Sequence, residues 1–171
     1  MGDIIDDIIY RETGGDPKGG YTNDPADSGG RTIWGISERA NPELWVNGPP
    51  TYAMARKRYA ERYVLPFNGI ADPVLLEQLV DMGVPSGPTT VVRILQQLVG
   101  AKIDGKLGPK TLAKVNAYPA GTLFGEPVSG RVLLNLAVRD ARVMHYAGIV
   151  KRRPKDLKFI LGWLNRTFSF R

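Results

Sequence analysis

Asp3-Ile4-Ile5-Asp6-Asp7-Ile8-Ile9-Tyr10-Arg11-Glu12-Thr13-Gly14-Gly15 sets the pattern from which the fold is read. Isoleucines at positions 4, 5, 8 and 9 have the spacing that lines one face of a helix. Asp3 is placed to cap that helix, Asp6 and Asp7 fall in its electropositive first turn, and Gly14-Gly15 stops it. Glu12 follows Ile8 by four positions and Ile9 by three, so a carboxylate lands on or beside the apolar face at the helix end.

From Asp16 to Ser37 the character changes. This stretch is dense in glycine, proline, asparagine and aspartate, with a short alternating run near Thr32 to Ile36, and reads as a small irregular β-hairpin or three-stranded lobe. After Pro49-Pro50 the sequence reads as helical to its end. Thr51 caps a segment carrying Tyr52, Ala55, Tyr59 and Tyr63, and Asp72-Pro73 opens a helix to Val84. Further helices are expected over 88–99, 129–150 and 154–168. The fold class expected is therefore mainly α, in the α+β sense, with a small irregular β-hairpin lobe and a larger helical lobe.

A chain of 171 residues with 43% hydrophobic content can bury a sizeable core. It has no cysteine and one histidine, His145, which excludes disulfides and thiolate metal sites and disfavours a histidine-based zinc site or a Ser-His-Asp triad. Chemistry must come from carboxylates, hydroxyls or amides, with no cofactor and no metal expected. The start lacks a basic segment, and no apolar run approaches the length of a membrane span, so the product is expected to be soluble and cytoplasmic. A net charge of +6 suits a polyanionic partner: nucleic acid, an anionic membrane surface or a bacterial envelope.

Glu12 is the leading catalytic candidate, because burial against isoleucines would favour the protonated form that an acid catalyst needs. The alternative is that it pairs with Arg11, Arg31 or another cation at a helix end. Asp27 and Thr32 supply a carboxylate and a hydroxyl that could position water or a substrate; equally, Asp27 could cap a turn and Thr32 be an ordinary strand residue. Asp24 precedes Pro25 and suits a turn, with substrate contact as its other reading. The aspartate spacing does not match an EF-hand. Among the tryptophans, Trp34 is the best groove candidate because it lies beside Thr32, while Trp45 and Trp163 suit the core. Asp104-Gly105 suits a turn and Gly108-Pro109 a helix start. Arg139, Arg142, Lys151, Arg152, Arg153, Lys155, Lys158 and Arg166 make the C-terminal part basic, either as a solvated face or as an attractor for anionic envelope polymers.

Arg11-Glu12-Thr13-Gly14-Gly15, followed by Asn23-Asp24-Pro25-Ala26-Asp27-Ser28-Gly29-Gly30-Arg31-Thr32-Ile33-Trp34-Gly35-Ile36, resembles the signature of glycoside hydrolase family 108. Asp81-Met-Gly-Val-Pro-Ser-Gly87 resembles that family's helix-end segment. Leu95 to Gly100, Asp104 to Leu112 and Phe159 to Arg166 resemble the associated peptidoglycan-binding region. The resemblance implies a lysozyme-like fold and a phage or prophage N-acetylmuramidase. Glu12 would be its catalytic acid, and Asp27 and Thr32 would line the cleft; Asp24, Trp34 and Asp81 are the candidate substrate contacts. Thr13 is inserted between Glu12 and the glycines, and Pro85 stands where the family has asparagine. It also implies a catalytic region over 1–95 and a peptidoglycan-binding-like helical region over 96–171 packed into the same compact unit. The implied partner is the peptidoglycan glycan strand, met by a monomer that waits in the host cytoplasm for a holin-type lesion. Competing readings are a lytic transglycosylase, a non-catalytic wall-binding module, and a nucleic-acid binder. The last lacks a recognition helix, an RNP motif or a zinc pattern, so no nucleic-acid partner is expected.

Overall fold

A computed structural model describes residues 4–23 and 30–170, and the backbone divides into two units, Met1–Leu65 and Pro66–Arg171. In the first, helix α1 spans Ile4–Glu12 and buries Ile8 and Ile9. Its expected cap, Asp3, lies outside the described residues. The helix ends where Thr13 N–H reaches the Ile9 carbonyl at 2.9 Å and Gly15 N–H the Tyr10 carbonyl at 2.8 Å. Gly14 and Gly15 both take positive φ, a backbone state that costs a side-chain-bearing residue more than glycine. The Asp16 carboxylate then accepts from the N–H groups of Lys18 (2.8 Å) and Gly20 (3.2 Å), bending the chain toward the β part.

Strands β1 (Thr32–Ile33) and β2 (Ile36–Ser37) pair antiparallel around Trp34-Gly35, and Thr22 adds a bridge to Thr32. Helix α2 (Tyr52–Tyr59) starts where the Thr51 side chain accepts from Met54 N–H at 3.3 Å, and a wider helical turn continues it over Ala60–Val64. Asp6 ties α1 to α2: it accepts from the Tyr52 hydroxyl at 2.5 Å and lies 3.1 Å from Arg56.

The second unit is built on α3 (Pro73–Ser86), α4 (Pro88–Leu98), α5 (Pro109–Asn116), α6 (Gly130–Arg152) and α7 (Ile160–Thr167). Asp72 caps α3 at Val74 N–H with Pro73 in the first turn, and Ser129 caps α6 at Val132 N–H. Leu79, Val80 and Met82 of α3, Val91 and Leu95 of α4, and Leu134, Val138 and Tyr146 of α6 form its core. Asp104-Gly105 makes the expected turn: buried Gln96 donates to Asp104 Oδ1 at 2.8 Å and accepts from Gly105 N–H at 2.8 Å. No described helix is long and apolar enough to cross a membrane.

Two expectations need correction. Residues 154–159 form 3₁₀ turns rather than the start of an α-helix, so α7 begins only at Ile160. The chain is also not helical throughout its second half, because β3 (Gly121–Leu123) and β4 (Glu126–Val128) form a second hairpin. Both hairpins turn on an aromatic residue and a glycine with positive φ at both positions, Trp34-Gly35 and Phe124-Gly125, the signature of a type I′ turn. Asparagine is favoured at the first of these positions and a bulky side chain is not. Phe124 is 99% exposed, so no packing offsets its backbone cost. Phe124→Asn is expected to stabilise the protein by about 1 kcal/mol, raising Tm by roughly 2–4 °C. An unchanged or lower melting temperature would contradict this account of the turn.

Candidate active site

Glu12 is the last residue of α1 and its side chain is exposed, not lodged among the isoleucines. Ile8 and Ile9 are covered, but the final turn runs out beside the glycine bend, where less of the unit lies over it. The neighbour that lets the glutamate approach the hairpin is Gly35: a Cβ there would sit 3.1 Å from Glu12 Cβ and would overlap the Tyr59 hydroxyl. Gly35 also has φ +71, so the position demands glycine twice over. Among the described residues, no hydrogen bond or ion pair holds the Glu12 carboxylate. Arg31, a possible partner, instead grips Glu38 through both Nε (2.8 Å) and Nη2 (2.6 Å).

The negative charge of Glu12 is felt by two tyrosines from α2 and the turn after it. Burial pushes the Tyr59 phenol well above its ordinary range, and Glu12 adds to that effect. Burial likewise raises Tyr63, opposed by Arg62 and reinforced by Glu12. The two rings stand 5.6 Å apart, and Tyr59 is 5% exposed. Both hydroxyls therefore stay protonated donors at neutral pH. Sequence reading placed Tyr59 and Tyr63 only in the helical segment that Thr51 caps; their i, i+4 spacing is the signal that could have put both on the face turned to Glu12.

The other candidates fall in different places. Asp24 and Asp27 lie outside the described residues. Thr32 is half-buried in β1, its backbone N–H and carbonyl each bonded to Thr22 at 2.9 Å. Trp34 lies over Gly19, where a Cβ would strike the indole, and meets Tyr52 edge-on at 5.0 Å. It lines a groove of about 460 Å³ with Asp6, Tyr10, Thr13, Asp16 and Tyr52. Glu12 is not part of that groove: residues 6, 10 and 13 share one face of α1 or its continuation, and position 12 points to another. The hairpin turn thus presents Gly35 to the glutamate and Trp34 to the groove.

Asp81 belongs to the second unit. It is 2% exposed and ion-paired with fully buried Arg142, so it is placed to hold the core of that unit and not to reach a ligand from the surface. Trp45 is buried, and Trp163 packs on Tyr146 at 4.9 Å. His145 Nε2 lies 3.0 Å from the Ser86 hydroxyl; burial, helped by Arg152, lowers its pKa, so the ring is neutral at pH 7.

At a glycine-rich helix end, this mainly α chain with a small β part places the Glu12 carboxylate, without a hydrogen bond or ion pair among the described residues, near two phenols, an arrangement open to carboxyl chemistry. Residues 16–87 match the family model described as Glycosyl hydrolase 108, and residues 90–168 match the one described as Predicted Peptidoglycan domain. The chain is a glycoside hydrolase that degrades peptidoglycan. Glu12 lies just ahead of the first matched stretch. Among solved structures, that of Brucella abortus SagA is 24% identical over 97% of this chain and 94% of that one, with a TM-score of 0.59, a likeness of fold. No curated protein matches.

Proposed function

We propose that this protein hydrolyses the β-1,4 bond between N-acetylmuramic acid and N-acetylglucosamine, with Glu12 as general acid. The observation that carries the reading is the state of that carboxyl: exposed, without a hydrogen bond or ion pair among the described residues, and seated against Gly35 beside Tyr59. A carboxylate engaged in a helix-end ion pair would have to break it to work; this one is available. Its exposure assigns the desolvation step to the substrate. A glycan strand laid over the helix end would exclude water from around the group that delivers hydrogen to the leaving oxygen. Asp27 and Thr32 would orient water or the sugar.

We assign the cutting to residues 1–95 and wall binding to 96–171, a division supported by the two matched stretches. The protein would be made in the host cytoplasm as a phage or prophage endolysin and reach the wall through a membrane lesion. Mass spectrometry of digested, purified peptidoglycan tests the chemistry. Reducing N-acetylmuramic acid ends are the expected products. Anhydro-muramic ends would make the enzyme a lytic transglycosylase, and reducing N-acetylglucosamine ends would place the cut at the other linkage.

A further inference from the structure

Within the second unit, α3 and α6 leave a groove of about 300 Å³ between them, lined by Val74, Gln78, Arg131, Asn135, Arg139 and Phe170, among others. Its floor is apolar and its rim is cationic. On α6, Arg131, Asn135 and Arg139 recur every four residues, so they stand in a row about two helical turns long.

The two ends of that row differ. At one end, Asn135 donates to Asp72 Oδ2 at 2.5 Å and accepts from Gln78 at 2.6 Å, while Arg131 lies 3.8 Å from Asp72. That end is occupied by the protein's own carboxylate. At the other end, the Arg139 guanidinium is held over the Phe168 ring at 5.6 Å; the side chain is 37% exposed, but its Nε is buried and has no hydrogen-bond partner among the described residues. Asp140 lies 3.5 Å from this Nε, but it is 73% exposed and forms no hydrogen bond with it. A buried donor without an acceptor is costly, and here it belongs to a positive group already fixed in place by an aromatic ring. The chemistry missing at this point is a planar anion able to receive the N–H groups of an arginine.

We propose that this groove is a binding site for the stem peptide of peptidoglycan, with a peptide carboxylate seated on Arg139 and its apolar side chains on Val74 and Phe170. The proposal rests on the reading of peptidoglycan as the partner, and it selects one part of that polymer. The glycan repeat with its lactyl group amidated is uncharged, whereas the stem peptides carry free carboxylates beside small apolar side chains. A cationic rim over an apolar floor discriminates between them.

The test uses the full-length protein and titration calorimetry with three probes: a peptide-bearing muropeptide, the same muropeptide with its peptide carboxylates amidated, and the peptide-free disaccharide with its lactyl carboxylate amidated. The acid form is expected to bind wild type roughly tenfold or more tightly than the amidated form. Arg139→Gln should erase that difference while leaving disaccharide binding unchanged. The amidated probe keeps the test independent of whether that variant folds. Equal affinity for the acid and amidated forms would overturn the proposal, as would competition by inorganic phosphate as effective as that by the acid probe. Binding is read without turnover, so loss of the Glu12 mechanism would leave this result standing, and the reverse.

Discussion

Glu12→Gln is expected to leave the protein folded and to reduce release of reducing sugar ends from peptidoglycan by at least a hundredfold, toward ten-thousandfold, the range that a positioned general acid supplies. Glutamine preserves the shape of the side chain against Gly35 but cannot deliver a proton to the leaving oxygen. The stability side is equally definite. Because the carboxylate is exposed and no described residue pairs with it, the substitution should shift unfolding free energy by no more than about 0.5 kcal/mol. Activity and melting temperature measured on the same preparation separate the roles. A folded variant retaining a tenth of wild-type activity would remove Glu12 from the mechanism, and a large fall in Tm would make it a structural residue.

Much of the architecture was legible because its signals are local. Thr51, Asp72-Pro73 and Ser129 are cap and first-turn residues, and each opens the helix expected of it. The alternation around Thr32 to Ile36 identified the first hairpin. The second hairpin was missed because its turn carries phenylalanine where asparagine or aspartate would announce a type I′ turn, and because Pro127 in β4 argues against a strand. In the candidate site, periodicity put Glu12 at the end of the first helix, on or beside its apolar face, but periodicity cannot say how far cover extends, and the side chain is exposed. The Gly35 and Tyr59 contacts depend on pairing between segments more than twenty residues apart in sequence. Asp81 illustrates the same limit. The resemblance of its segment made it a candidate substrate contact, yet the partner that takes it inward, Arg142, lies on another helix and leaves no mark in the sequence around residue 81.

Asp81→Asn is expected to be the most destabilising of the changes considered, lowering unfolding free energy by about 3–5 kcal/mol in urea titration. Arg142 is fully buried: its Nε donates to the Tyr146 hydroxyl at 3.1 Å, Nη1 points to the Gln78 carbonyl at 3.5 Å, and the rings of Tyr146 and Phe170 each lie 5.5 Å from the guanidinium. Among the described residues Asp81 is the group of opposite charge paired with it, and a second cation, Arg166, lies only 4.0 Å from the same carboxylate. Neutralising Asp81 therefore strands a buried positive charge and brings two cations face to face without their shared counter-ion. The reverse change, Arg142→Met, leaves Asp81 with Arg166 nearby and puts an apolar chain between aromatic rings, so it should cost less. The order is the discriminating result: Asp81→Asn below Arg142→Met, with the pair Asp81→Leu and Arg142→Met recovering part of the loss because no charge is left unpaired. Equal costs for the two single variants would mean that Arg166 does not share the carboxylate. A cost under about 1 kcal/mol for Asp81→Asn would mean that water reaches the pair and that it behaves as a surface contact.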